Sequence, residues 1–359
     1  MKMKYTFLLP GASALLHNRF TAICMMITML VSFSCENNQD VAPEKTALTP
    51  SPVLNYIRQL GFAENSIQEN NTHYIVEEDI LFPKNMVVPD DAHGRTEQYY
   101  TGSLVSFVNQ SNIRVKIDAS MTAAPDMTAE INSAIAQWNN LLNSRITFTI
   151  VTGTYDILIQ NTNLGTGVCG QGTFPSGGVA GNLIQINKSY IAGNSFDQRQ
   201  RTITHELGHC ISFRHTNWAA QGESSALDVP GVGGTDAGSL MNGGQCGIGA
   251  AYLDTNDKAA TFSLYPNIVS SLIYNSSYPF KITWNAGVKT SGITRYDIEY
   301  TFVSSRLGTL TGSGTSTTAS FTFPWVSGQY SGSPLTTKVR TRFTDGTISP
   351  WVSASTTIP

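Results

Sequence analysis

The chain has 359 residues, enough for two or three domains, with 13% charged residues and a formal net charge of −3. Low charge with abundant Ser, Thr, Asn and Gly suits an extracellular, β-rich protein better than a cytosolic one. Residues 1–34 carry Lys2, Lys4 and Arg19 and no acid, so losing them takes the charge from −3 to −6. An acidic remainder without basic runs argues against nucleic acid as a partner.

Arg19 precedes an apolar run, Phe20 to Phe33, which ends at Ser34-Cys35. A positive start, a short apolar stretch and a small residue before the cut form a signal-peptide layout, and the run is too short for a typical membrane span. The cysteine at the cut resembles a bacterial lipoprotein signal (residues 1–34), which implies lipidation of Cys35 and a cell-envelope location at the outer membrane or cell surface. Ser32 departs from the leucine usual in such signals, and plain secretion is the alternative. Residues 35–50 are polar with prolines and read as a tether, its Glu36–Asp40 stretch resembling the acidic tag of surface-exported lipoproteins.

Residues 51–99 form an N-terminal segment. Val53, Leu54, Ile57 and Leu60 share one face of a short helix, and Tyr74-Ile75-Val76 with Ile80-Leu81-Phe82 suggest strand. Two readings stay open: a propeptide that blocks a cleft, or a structural subdomain. No cysteine is available here to cap a metal, so inhibition requires another ligand or steric cover.

Residues 100–267 alternate strand and helix. Ile113–Ile117, Ile146–Val151, Asp156–Ile159 and Asn182–Asn187 read as strands, and Met127 to Leu142 as a helix opened by Pro125-Asp126. Gly165 to Gly181 reads as a looped rim before an edge strand at Leu183–Ile186. A second helix begins at Ser195, with Gln198 completing a capping box, and carries Ile203, Leu207 and Ile211 as its inward stripe. Asp254–Leu264 reads as a closing helix stopped by Tyr265-Pro266.

On the second helix, His205 and His209 are four apart with Glu206 between, so both imidazoles reach one metal on one helix face. His215 would lie roughly 15 Å from His205 on a continuous helix, at about 1.5 Å per residue. To serve as a third ligand it needs the chain to leave the helix near Ser212. Three histidines and a glutamate leave a coordination position open, which favours a catalytic over a structural zinc site. An alternative ligand set replaces His215 with Glu223 or Asp228.

This segment resembles the metzincin metallopeptidase pattern H-E-x-x-H-x-x-G-x-x-H at every fixed position except Ser212, where the family has a left-handed glycine. Ser239-Leu240-Met241-Asn242 lies where the metzincin methionine turn belongs. Phe213 to Trp218 looks more specifically like the dual-action HEIGH metallopeptidases, a likeness covering roughly residues 50–266. The resemblance implies an α+β fold: a twisted mixed sheet, a backing helix and an active-site helix. It further implies a zinc endopeptidase acting on protein or peptide substrates by Glu206-assisted attack of a zinc-bound water. His205, His209 and His215 would be the ligands and Met241 packing support. Extended substrate is expected on the Leu183–Ile186 edge, with Tyr252 among the tyrosines that could assist the oxyanion. Calcium in the glycine-rich loops has no recognisable motif behind it.

After Cys35 the remaining cysteines downstream are Cys169, Cys210 and Cys246. Cys210 follows His209 and should turn inward, which favours a Cys169–Cys246 disulfide between two glycine-rich loops. Residues 268–359 change composition: alternating strands around Trp284, Tyr300 and Val339–Phe343 resemble a fibronectin type III sandwich. That all-β module keeps a second function class open, a surface adhesion or glycan-binding lipoprotein with a peptidase-like domain. Its partner would be a surface protein or glycan.

Overall fold

The computed structural model describes residues 51–88, 99–232, 234–326 and 328–359. The signal peptide, Cys35 and the tether lie outside the described residues. No helix among the described residues is long and apolar enough to cross a membrane.

The larger part is built on one eight-stranded mixed sheet. Its order across the sheet is Ile67–Glu69, His73–Val76, Ile80–Pro83, Gly170–Thr173, Leu183–Ile186, Ile157–Asn161, Ile113–Ile117, Phe148–Ile150. The four strands from Leu183–Ile186 outward run parallel, whereas Gly170–Thr173 is antiparallel to Leu183–Ile186. Ile113, Val115, Ile157, Ile159, Ile184 and Ile186 point to the same buried core, which is why these short strands alternate in burial.

Two helices cover that core. Thr128–Asn139 buries Ile131, Ala134, Ile135 and Trp138, and Phe196–Cys210 buries Ile203, Leu207 and Cys210. The indole of Trp138 stacks on Phe213 and donates to the Thr204 carbonyl at 3.1 Å, which locks one helix to the other. Asp126 accepts from the Thr128 amide and starts the first of them. Ser195 accepts from Gln198 at the start of the second, but the reciprocal half of the expected capping box is not made. The Gln198 side chain instead donates to the Gly249 carbonyl at 3.0 Å, because the loop after Cys246 lies against this helix start. Thr255–Leu264 closes this part under a complete capping box between Asp254 and Asp257.

Two sequence expectations are corrected. Leu183–Ile186 is an interior strand with neighbours on both sides, and Gly170–Thr173, read as rim loop, is the strand beyond it. The glycines weakened the strand signal, since they carry no side chain to alternate. The outer edge of Gly170–Thr173 is in turn covered by Ile80–Pro83, in parallel pairing of Ile80 with Gly172 and Leu81 with Thr173.

From Ser270 onward the chain forms an antiparallel three-stranded sheet (Ser270–Tyr274, Lys281–Asn285, Ser320–Thr322) and a four-stranded one. The latter runs Gly308–Ser316, Ile293–Ser304, Pro334–Phe343, Val352–Thr357. Their inner faces share one aromatic-rich core that includes Trp284, Tyr296, Tyr300, Phe323 and Trp325.

Candidate metal centre and active site

The helix Phe196–Cys210 stops where its chemistry needs it to. After Cys210 the backbone turns through Ser212, whose φ of 87° is left-handed, and the Phe213 amide bonds back to Gly208 at 3.0 Å. This places serine in the conformation that the resemblance assigns to glycine. Ser212 is held there by its hydroxyl bond to Thr101 at 2.8 Å and by its own carbonyl, which accepts from the Thr101 amide. The reversal brings His215 back beside His205 and His209, with ring centroids 4.6–5.3 Å apart.

All three imidazoles are buried, and each is fixed through Nδ1. His205 Nδ1 donates to the Leu240 carbonyl at 2.9 Å and His209 Nδ1 to the Phe213 carbonyl at 2.7 Å. His215 Nδ1 donates to Glu77 Oε2 at 2.8 Å. A neutral imidazole that donates through Nδ1 presents its lone pair at Nε2, so three lone pairs face one point. The oxygen Oδ2 of Asp79 faces the same point, 3.1, 3.4 and 2.7 Å from Nε2 of His205, His209 and His215.

Four groups that can each offer a lone pair converge in a buried space, a donor set that could hold a metal ion. Ligand bonds of about 2.0–2.1 Å in a tetrahedral site put ligand atoms about 3.3 Å apart, which the observed spacings bracket. In the absence of an ion, burial pushes His205 down to about 4 against the pull of the Asp79 charge. Burial would also lower His215, but its hydrogen bonds to Asp79 and Glu77 raise it to about 9.

Glu206 lies one step round the helix, buried, with Oε2 lacking any protein hydrogen-bond partner. Burial and the neighbouring Asp79 charge push its carboxyl well above the ordinary range. It fits because the adjacent strand is Gly170-Gln171-Gly172: a Cβ at Gly170 would stand 2.7 Å from Glu206 Oε1, and one at Gly172 3.1 Å from Oε2. The nearby cation Arg201 ties down the opposite wall, donating to the carbonyls of Leu240 and Asn242 and to Gln245.

Met241 lies beneath the centre, buried, with its sulfur 2.5 Å from where a Cβ on Gly208 would stand. The Leu240 carbonyl that holds His205 is itself positioned by Asp257, whose carboxylate accepts from the Leu240 amide and the Ser239 hydroxyl. Cys169 and Cys246 are bonded to each other and brace the mouth of a cleft of about 120 Å³, also lined by Glu77, Asp79, Arg201 and Glu206. Cys210 is a buried free thiol.

Other sequence candidates fall elsewhere. Glu223 forms a buried ion pair with Arg214 and groups with His215 and Glu77, and Asp228 sits on a two-residue strand paired with Tyr99–Tyr100. Among the described residues, the carboxylate grouped with all three histidines is Asp79. Tyr252 is exposed and donates to Asp197, more than two turns before His205 on the helix, so it does not serve the centre. The residues that sequence reasoning passed over are Asp79, Glu77 and the two strand glycines. The legible trace of the first two was an acidic triplet, Glu77-Glu78-Asp79, between two apolar strands.

Comparison with known proteins agrees with this geometry. None of the curated proteins matches the chain. The family model of the dual-action HEIGH metallopeptidases matches residues 83–274, more than half of the chain and the whole helix-and-turn that carries the three histidines. The chain therefore belongs to the dual-action HEIGH metallopeptidase family.

Proposed function

We propose that this metallopeptidase is a zinc-dependent endopeptidase that cleaves extracellular proteins, with Glu206 as general base. The observation that carries this reading is the convergence of three Nδ1-anchored imidazoles beside the buried carboxyl group of Glu206. His205, His209 and His215 would hold the ion, an all-imidazole donor set suited to zinc. Bound there, zinc supplies a Lewis acid that acidifies water and polarises a carbonyl.

The chain's own groups do the rest. Glu206 removes a proton from the attacking water as the oxygen bonds to the scissile carbonyl carbon. It then delivers that proton to the leaving nitrogen as the C–N bond breaks, yielding an acid and an amine. The Nδ1 bonds of His205 and His209 to the Leu240 and Phe213 carbonyls hold those rings fixed during this exchange, and Met241 fills the floor. The extended substrate adds to the outer edge of Gly170–Thr173, whose glycines leave space for Glu206 behind it.

The test is metal content beside casein cleavage for wild type and Glu206→Gln, each before and after N-terminal trimming. One zinc per chain in both, with cleavage by wild type alone, is the expected result. Cleavage retained in Glu206→Gln removes the general-base assignment, and absence of zinc from wild type removes the metal assignment.

Residues 100–267 are read as the catalytic domain and 268–359 as a fibronectin type III-like module. The three-plus-four strand order of the C-terminal sandwich supports the second of these. The signal-like residues 1–34 and Cys35 support a lipid-anchored place in the cell envelope.

A further inference from the structure

We propose that the segment through Pro83 is an inhibitory element: Asp79 is the fourth ligand of the metal, and the Ile80–Pro83 strand occupies the substrate's edge of the sheet. This rests on the zinc-peptidase reading above and adds to it a closed, latent state. The family match begins at residue 83, so Asp79 lies outside it.

Four observations carry the inference. First, Asp79 Oδ2 approaches all three histidine Nε2 atoms, at 2.7–3.4 Å, which is the position a fourth ligand takes. Second, the carboxylate is delivered by a tight turn between Val76 and Ile80, in which Glu77 and Glu78 have φ of 56° and 61°. Non-glycine residues hold left-handed angles where surrounding contacts fix them. Here Glu77 binds His215 Nδ1, and the Glu78 carbonyl accepts from the side chain of Gln171.

Third, the chain continues from Asp79 straight onto the catalytic sheet. The Gly172 amide donates to the Asp79 carbonyl at 3.0 Å, and Ile80 and Leu81 pair with Gly172 and Thr173. The backbone groups that an extended substrate would use are therefore already engaged. Fourth, the segment has its own apolar cluster, running from Val53 to Phe82, in which the only buried member beyond residue 88 among the described residues is Phe174. A unit with its own core can leave with little loss to the core beneath the zinc helix. Beyond the turn that carries Asp79, it is tied by Arg214, which stacks on Phe62 and donates to the Leu60 carbonyl at 2.7 Å, by Ser224, whose amide and hydroxyl donate to the Gly61 carbonyl, and by the Tyr56 hydroxyl, which donates to the Thr101 carbonyl.

With Asp79 in place the centre has four protein ligands and no position for water, the closed arrangement of a non-catalytic zinc site. Loss of the segment through Pro83 removes the ligand and uncovers the strand edge in one step.

The experiment compares the full chain as wild type and Asp79→Asn, a change that preserves side-chain volume, each loaded with Co(II) and with Zn(II). Visible absorption of the cobalt form and the rate of zinc loss to a chelator are recorded. In parallel, peptide cleavage is followed while limited trypsin digestion proceeds, with the new N-terminus read by sequencing. The inference expects altered cobalt bands and at least about tenfold faster zinc loss in Asp79→Asn. It also expects wild-type activity to rise only as N-termini beyond residue 83 accumulate. Identical bands and loss rates in the two proteins overturn Asp79 as a ligand while leaving the zinc reading intact. Full activity in the untrimmed wild type overturns latency, whether or not Asp79→Asn folds. Failure of wild type to bind either metal overturns both readings.

Discussion

Gly208 marks how tightly the floor of the centre is packed. A methyl group there would meet the Met241 sulfur at 2.5 Å and the Trp138 ring at 3.3 Å, both buried. Gly208→Ala should therefore cost about 1–3 kcal/mol of overpacking, whereas Gly193→Ala, with nothing within 4 Å, should be near neutral. Urea unfolding of the two variants checks this pair. Ser212 poses a finer balance: glycine would relieve roughly 1 kcal/mol of left-handed cost and forfeit a hydroxyl bond to Thr101 of about the same worth. Ser212→Gly should stay within about 1 kcal/mol of wild type, while the β-branched Ser212→Val should lose at least about 2 kcal/mol. Equal stability of Ser212→Val and wild type would show that the turn is not strained.

At the scale of elements, the centre depends on a chain of supports. Asp257 opens the Thr255–Leu264 helix and also positions the Leu240 backbone, whose carbonyl orients His205. Asp257→Ala should weaken zinc binding about 10–100-fold, as removal of outer supports of metal ligands does. Competition with a chromogenic chelator measures it, and an unchanged affinity would confine Asp257 to helix capping. The Cys169–Cys246 bridge acts on a longer segment, since its ends are 77 residues apart. Chain-entropy reasoning assigns it up to about 4–5 kcal/mol, so a Cys169→Ser/Cys246→Ser chain should melt well below wild type. Burial pushes the Cys210 thiol up, so it should resist alkylation in the folded protein and react once unfolded.

The whole molecule joins its two parts through polar contacts and the edge-to-face pair of Phe262 on Phe343. Asn143 donates to Asp345 and Thr347, Asn267 to the Leu142 carbonyl, and Lys289 to the Leu141 carbonyl at 2.9 Å. Gly292 lies against Leu142 so closely that a Cβ would stand 2.4 Å from its Cβ. Burial lowers Lys289 from 10.5 to about 8. The unfolded chain thus holds the extra proton between those values, and stability should rise as pH increases from about 8 to 10.5. The gain is up to ~3 kcal/mol for a shift of this size. It should vanish in Lys289→Met, as unfolding midpoints measured at pH 7.5 and 10 would show.

The residues of the centre were legible in the sequence where chemistry is local. His205, Glu206 and His209 share a helix, and helical period alone puts them together; the resemblance supplied the return of His215. The inward stripe of Ile203, Leu207 and Ile211, the buried Cys210 and the strand alternation of the Ile113–Ile117 segment were equally readable, because burial follows period. What the sequence could not disclose is contact across long separations. Asp79 lies 126 residues before His205, and the acidic triplet it belongs to has no ligand spacing that would announce a metal. Sheet order likewise depends on which edges meet, so Gly170–Thr173 rather than Leu183–Ile186 emerged as the last strand of the catalytic sheet, with Ile80–Pro83 added to it. The sequence by itself determined the donor atoms and the helix that presents them. Only the tertiary structure decided what else reaches them, because side chains brought together by a sheet register leave no period in the chain.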